Sequence, residues 1–461
     1  MSDLLNENLE ARIDSEYVLK QYLEYDALIS NQPFKKINDI AFVTDGIHSS
    51  IDFDENSNIN LVSAKAPKKN VFNLSRTGYI SYEQNRLNPR TQLKENDIII
   101  STVGTIGNCA VVDESILPAN SDRHVGIVRL ENTDYKPRYI STFLLSKYGR
   151  FQTKRHTTGN VQPNLFIYKI KELKIPYISE SFQQKIEDMV VEANVLLDNS
   201  KVMYEDAKRV LIDALGLSDF KPEDEMYNIK SFSNSFGKTG RLDAEYYQPY
   251  YDEFEDIVKK HGFVLASDIC EMINYGTVPT SPYTEDGTGT PYIKGMNVKN
   301  TEVDNEDLDR IINTELLPNK FFTKQGDIII SQMGTVADCG VVDEMQEGWL
   351  FASFTIRLRL KKNAGFNPHF VGIYIQELAK KYYFYKNIAQ ASVRQNTDLP
   401  TVNNLYIPKI CIDTQNEIAS MLIKCKYLKQ ESKDMLNNSI RAVEIAVESG
   451  EKAALDFLAD L

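Results

Sequence analysis

Long apolar runs, clustered cysteines and an excess of base are what this chain of 461 residues lacks. No stretch approaches the roughly 18 apolar residues of a membrane span, and Met1-Ser2-Asp3 opens an acidic, polar start unlike a secretory signal. The cytoplasm is the expected compartment, with no membrane partner. The five cysteines, Cys109, Cys270, Cys339, Cys411 and Cys425, include no CxxC pair. They are expected to be small buried hydrophobes in a reducing compartment, neither ligands nor bridges. The five histidines, His48, His124, His156, His261 and His369, are scattered without metal-ligand spacing. Gly237-Lys238-Thr239 mimics the end of a phosphate loop, but Phe232 stands where its first glycine belongs. Gly287 and Gly289 do not complete a dinucleotide fingerprint, and there is neither an Asn-Pro-Pro-aromatic methyltransferase motif nor a nuclease carboxylate cluster. The chain is therefore expected to bind and not to catalyse. Its net charge of −13 is unlike that of a nucleic-acid binder, since phosphate contacts need clustered Lys and Arg. That objection is weakened because charge sums over a surface while binding uses one face.

What the chain has is itself, twice. DIIISTVGTIGNCAVVDE (Asp97–Glu114) returns as DIIISQMGTVADCGVVDE (Asp327–Glu344), with 12 of 18 positions identical and no gap. ARIDSEY (Ala11–Tyr17) answers GRLDAEY (Gly240–Tyr246), and ELKIPYI (Glu172–Ile178) answers NLYIPKI (Asn404–Ile410), at offsets of 229 and 232. Each half is one unit of roughly 200 residues, the size of a domain with an appendage. A tandem pair predicts two similar surfaces about a pseudo-twofold axis, suited to a target in two parts.

Each half opens on an amphipathic helix with recurring aromatics, Tyr17, Tyr22 and Tyr25 against Tyr246, Tyr251 and Phe254. A mixed region follows, in which β-branched runs such as Ile98-Ile99-Ile100 and Ile328-Ile329-Ile330 alternate with Gly, Asn, Asp and Pro turns, predicting an α/β (α+β) domain on a curved β-sheet. Each half then ends in a heptad helix. Met189, Leu196, Met203 and Val210 recur every seven residues, beside a stripe of smaller residues, Ile186, Ala193, Ser200, Ala207 and Ala214. Its counterpart is Ile418, Cys425, Ser432, Ser439 and Ala446. A helix of about 33 residues spans roughly 50 Å, and small residues along one edge let two such helices approach closely. The pair is expected to pack antiparallel as a spacer between the domains; the alternative is that each helix packs on its own domain. Leu217–Thr239 reads as a connector.

Polar, cationic loops occupy corresponding places without matching in detail. Ser63–Asn70 offers Lys65, Lys68, Lys69 and Asn70, against Lys294, Asn297 and Lys299 in the second half. Before the long helices, Arg155, His156, Asn160 and Gln162 stand against Arg394, Gln395 and Asn396. Lys and Arg hold phosphates, while Arg, Asn, Gln and Ser reach base edges. Ordinary solvated turns would explain any single loop, but recurrence at corresponding positions argues for a shared role.

The runs GTVPTSPYTEDGTGTPYIKGMNVKN (Gly276–Asn300), GDIIISQMGT (Gly326–Thr335), FTIRLRL (Phe354–Leu360) and the Ile-Pro before each long helix (Ile175-Pro176, Ile407-Pro408) resemble the specificity (S) subunits of type I restriction-modification systems. The first half departs from the pattern, with Asn96 where Gly is usual and Thr44-Asp45-Gly46-Ile47-His48 in place of Gly-Thr-x-Pro. The resemblance implies an N-terminal helical segment at 1–34, target-recognition domains at 35–178 and 263–410, spacer helices at 179–217 and 411–461, and a connector with a repeat-opening helix at 218–262. It implies a non-catalytic subunit that binds a bipartite, asymmetric duplex DNA site. It would assemble with methyltransferase (M) subunits, two of them, and with restriction (R) subunits; S-adenosylmethionine, ATP and Mg would belong to those partners, and the chain itself would hold no cofactor and no metal. Arg123, Thr277, Ser281 and Gln332 complete the candidate DNA-binding residues. The alternative from another class is a tandem-repeat adaptor that binds protein only, which retention on heparin or DNA resin would discriminate.

Overall fold

The computed structural model describes residues 17, 19–75, 77–159, 163–306, 308–388 and 395–461. They form two compact units, one of residues 1–198 with 429–461 and one of residues 199–428. Both mix helix and strand.

In the first unit, helix α1 (Lys20–Ser30) precedes strands β1 (Ala41–Asp45), β2 (Ile59–Val62), β3 (Ile98–Ser101), β4 (Cys109–Val111), β5 (Ala119–Ser121) and β6 (Val125–Leu130). Strands β1, β6, β3 and β4 make an antiparallel sheet in that order, while β2 pairs parallel with β5. Helices α2 (Pro137–Leu145) and α3 (Lys147–His156) cover one face, and the long α4 (Glu180–Ala214) follows. Ile98, Ile99 and Ile100 are all fully buried: Ile98 and Ile100 belong to the helix-side core and Ile99 to the core on the other face. A strand covered on both sides shows an unbroken apolar run where a half-exposed one would alternate.

The second unit repeats the scheme. After α5 (Pro249–Lys260) come β7 (Cys270–Tyr275), β8 (Thr290–Ile293), β9 (Ile328–Ser331), β10 (Cys339–Val341), β11 (Leu350–Phe351) and β12 (Thr355–Leu360). Strands β7, β12, β9 and β10 take the same order as in the first unit, extended here by 301–303 and 298–299. Helix α6 (Pro368–Tyr374) runs into a π-helical segment, Ile375–Phe384, and the long α7 (Ile412–Ser449) and short α8 (Glu451–Ala459) close the chain. Tyr17 and Tyr246 stand ahead of α1 and α5 and not on them.

Each unit takes half of each long helix. In the first unit, Ser179 Oγ donates to Glu451, and Ser432 Oγ donates to Ala193 O at 2.6 Å. Position rises along one helix as it falls along the other, so these halves run antiparallel. The seam is the small-residue stripe: Ile186, Ala193, Ser200 and Ala207, and Ile418, Cys425, Ser432, Ser439 and Ala446, are all buried. Each helix also starts on the same lock. The Gln183 carboxamide accepts from Lys136 N and donates to Ile178 O, as that of Gln415 accepts from Asn367 N and donates to Ile410 O. Both readings of the helices thus describe part of the arrangement, for each packs on its own domain and on the other helix.

Three sequence puzzles have local answers. Asn96 takes the place of Gly326 because both sit at positive φ, +67° and +84°, a region that asparagine tolerates better than most residues. Four of the five cysteines are buried as expected, but Cys411 is exposed; Cys109 and Cys339 are fully buried, and burial pushes the Cys109 thiol up to about 11, far from a reactive thiolate. Gly46 and Gly276 are equivalent despite their different contexts. A Cβ on Gly276 would lie 2.1 Å from Phe351 O and one on Gly46 2.2 Å from Asp122 O, so only glycine lets the strands cross there. Backbone cannot yield as a side chain can. Gly276→Ala is expected to cost on the order of 3 kcal/mol in chemical denaturation, and a cost under about 0.5 kcal/mol would show that the crossing opens freely.

Candidate nucleic-acid interface

The strand crossing at each glycine gathers loops from distant parts of the sequence. In the first unit Ile47 N donates to Ser121 O (2.8 Å), Thr102 N to His124 O (3.0 Å), Leu165 N to Thr102 O (2.9 Å) and Ser101 Oγ to Ala64 O (2.6 Å). Thr158 and Asn164 exchange backbone bonds of 3.0 and 2.9 Å. One edge of the sheet therefore carries Gly46–His48, Ser63–Lys65, Thr102–Thr105, Asp122–His124 and the loop after α3.

The second unit builds the same cluster with other side chains. Thr277 N donates to Phe351 O (2.9 Å), Ser353 N to Thr277 O (2.8 Å), Gln332 N to Phe354 O (3.0 Å) and Thr397 N to Gln332 O (3.1 Å). Gly295 lies against Ser331. The cluster thus holds Gly276–Thr280, Lys294–Gly295, Gln332–Thr335, Ser353–Phe354 and Gln395–Thr397.

The two lysine-bearing loops prove to be one hairpin, twice. Pro67–Lys68 pairs with Val71–Phe72 around Lys69 and Asn70 (φ +50° and +64°), and Val298–Lys299 pairs with residues up to Val303 around Asn300 and Thr301 (φ +52° and +65°). Two successive positive φ values are the signature of a tight hairpin turn whose twist matches its strands. Lys68 and Lys299 occupy the same place on it. The first hairpin leans on α4, with Asn194 Nδ2 donating to Asn70 O at 3.3 Å.

The expected contact residues divide by exposure. Lys65, Lys68, Lys69, Arg123, Lys299, Gln395 and Asn396 are exposed; Ser281, Lys294, Gln332 and His156 are half-buried. Asn70, Asn297, Arg155 and Thr277 lie inside. The Asn70 side chain bonds Thr142 and Ser141 beneath the hairpin. Asn297 Oδ1 accepts from Lys294 N (2.9 Å). Arg155 stacks on Tyr17 and donates to its carbonyl, and Thr277 accepts from Tyr292 Oη through its carbonyl (2.6 Å). These four support the loops from within. Lys294 pairs with Asp309, and Ser281 Oγ accepts from Ile312 N. Asn160, Gln162 and Arg394 fall outside the described residues.

Sequence reasoning passed over the exposed aromatics of these edges. Phe354 is 60% exposed, and Phe166 and Tyr168, both exposed, stack at 5.8 Å beside the first loop. Aromatic residues embedded in polar loops were the available signal. Acids share the edge too: Asp45 meets His48 at 2.6 Å and Asp122 meets His124 at 3.3 Å. Among the described residues no group of three His, Cys, Asp or Glu is arranged to hold a metal ion, and no helix is long and apolar enough to cross a membrane.

Residues 31–190 match the family model of the type I restriction modification DNA specificity domain. The chain is similar to the S subunit of the type I restriction-modification system from M. genitalium in its crystal structure, at 13% identity and a TM-score of 0.45 over 92% of this chain and 96% of that one. It is similar also to the HsdS subunit from Thermoanaerobacter tengcongensis, at 14% identity and a TM-score of 0.30 over 91% and 97%. No curated protein matches it.

Proposed function

We propose, from the premise that residues 31–190 match a type I restriction modification DNA specificity domain, that this chain is the sequence-reading subunit of a type I or type I-like restriction-modification complex. The observation that carries the reading is the doubled loop cluster: one backbone scaffold, built twice, presents different side chains at corresponding places. A pair of like scaffolds with unlike loops suits an asymmetric duplex site in two parts, one for each repeat.

Phosphate contacts fall to Lys65, Lys68, Lys69, Arg123 and Lys299, whose charge holds the backbone of the duplex without reading it. Base contacts fall to Gln332, Gln395 and Asn396, whose carboxamides can pair a donor and an acceptor with a base edge. Chemistry belongs to partners. Two methyltransferase subunits would bring S-adenosylmethionine, restriction subunits would bring ATP and Mg, and the chain would place them on the DNA. The long helices would set the unread gap between the half-sites.

Selection from a randomised duplex library by the chain with its partner subunits tests this reading. Two short, unlike motifs at a fixed spacing support it; a library that stays random while methyltransferase activity is intact turns the reading to a protein-only adaptor. Replacing Lys65, Lys68 and Lys69 with alanine should weaken binding to all sequences and lower the salt slope by about 0.9 for each phosphate no longer neutralised. Gln395→Ala should cost about 1–3 kcal/mol at one base pair only. Salt-titrated binding that all four changes leave untouched would remove these residues from the interface.

A further inference from the structure

In the second repeat the opening motif, Gly240–Tyr246, grips the root of a loop assigned to DNA. In the second repeat Arg241 donates through Nη2 to Ile388 O at 3.0 Å and through Nε to Asp243 Oδ1 at 2.8 Å. Its guanidinium lies 4.3 Å from the centre of the Tyr246 ring, which also receives Lys386 Nζ at 5.5 Å. Lys386 is tied in turn to Asp252 at 2.9 Å. Lys386 and Ile388 end the helical segment that leads into the loop bearing Gln395 and Asn396.

The first repeat makes an equivalent contact with different groups. Arg155, in the last turn of α3, lies 4.5 Å over the Tyr17 ring and donates through Nε to Tyr17 O at 3.1 Å. The loop Thr157–Asn164 begins two residues later. In both repeats the tyrosine of the opening motif therefore stacks on a cation immediately before a recognition loop. The bond between Arg241 and Asp243 holds the guanidinium charge firmly, raising its already high pKa, and exchanging either partner would loosen the stack.

We infer that Arg241, Asp243 and Tyr246 form a positioning latch that fixes the root of the second recognition loop, and thereby its choice of bases, without touching DNA. The inference rests on the proposed DNA-reading function. A side chain that reads a base edge must be held to about 0.5 Å by the groups around it. On one side the bond from Thr397 N to Gln332 O ties the end of this loop to the sheet edge. The latch supplies the second constraint, at Ile388, where the chain enters the loop.

The test uses the complex of the chain with its methyltransferase and restriction partners, comparing the native chain with Arg241→Ala and Arg241→Lys. Two readouts are taken: library selection, and hydrogen exchange at the Thr397 amide without DNA. Arg241→Ala is expected to relax discrimination about tenfold in one half-site, to leave the other half-site and complex assembly intact, and to speed Thr397 exchange at least tenfold. Arg241→Lys, which keeps the charge but loses the planar fork and its stack on Tyr246, should give losses between those of Arg241→Ala and the native chain in both readouts. If both half-sites keep their discrimination and Thr397 its protection, the latch is refuted. Equal loss at both half-sites, or loss of assembly, refutes it as well, because a role in folding alone would do that. Should the native complex itself select no sequence, the DNA-reading function fails, while the exchange result still decides whether the motif holds the loop.

Discussion

Asp327→Ala is expected to cost the second repeat about 3–5 kcal/mol, the loss that follows when one partner of a buried ion pair is removed. Asp327 is wholly buried and accepts two bonds from Arg359, Nε at 2.7 Å and Nη2 at 2.6 Å, and a longer contact of 3.4 Å from Arg357. The same carboxylate caps Lys324 N at 2.9 Å. Its hydrogen bond raises the Arg359 guanidinium, whereas burial pulls Arg357 down from its usual value. Arg359 is therefore the true ion-pair partner, and Arg357 depends on the carbonyls of Lys320 and Phe322 around it. Alanine at 327 would leave two guanidiniums in the interior with only the weaker influence of Glu271 and Glu347 to balance them. The first repeat keeps the bidentate pair, Asp97 with Arg129, but has Ile127 where Arg357 stands, so Asp97→Ala should cost less. The single tryptophan, Trp349, lies in the second repeat, and its fluorescence in urea reports that unit alone. Adding Arg357→Ile should recover part of the loss, since well-packed apolar residues often replace buried ions without penalty. A shift of under about 1 kcal/mol in the tryptophan transition would show that the pair is dispensable.

Removing one heptad from each long helix, within Ala193–Met203 and within Cys425–Met435, should shorten the preferred gap between half-sites by about 3 base pairs. Seven helical residues rise about 10.5 Å, and one base pair advances about 3.4 Å. A seven-residue deletion keeps the small-residue stripe in phase, so the seam through Ala193 and Ser432 can close again. A deletion of four residues from one helix would rotate that stripe off the seam and is expected to destroy assembly. Library selection on the shortened chain reads the gap directly. A gap that stays unchanged would mean that the helices do not set it.

Much of this architecture was legible because the chain repeats. Two copies of DIIIS marked strands, and the structure adds why three isoleucines stand in a row: that strand is buried on both faces. The heptads showed their seam in the same way, by small residues kept at period seven. Other features left no local trace. Asn70 and Arg155 read as contact residues from composition alone, yet both are buried; a polar residue in a loop can equally be the strut beneath it, and only the tertiary partners Ser141, Thr142 and Tyr17 distinguish the two. The common hairpin of Lys68 and Lys299 was hidden because two positive φ values can be met by Lys-Asn or by Asn-Thr. Arg357 and Arg359 alternate as a half-exposed strand would, and nothing in FTIRLRL says that their face is turned inward.

The way residues 429–461 complete the first unit carries a consequence for biosynthesis. Ala442, Val443, Ala446, Val447 and Ala454 share the core of Tyr139, Phe143 and Phe182, Lys147 N donates to Glu444 at 2.8 Å, and Gln32 Nε2 donates to Val447 O at 2.8 Å. A ribosome adding roughly 5–20 residues per second delivers these partners on the order of 10–50 seconds after residue 198 has been made. The repeat that is translated first must therefore wait, with the apolar side of α4 uncovered, while the whole of the second is synthesised, and the second half of α7 together with α8 is what seals it.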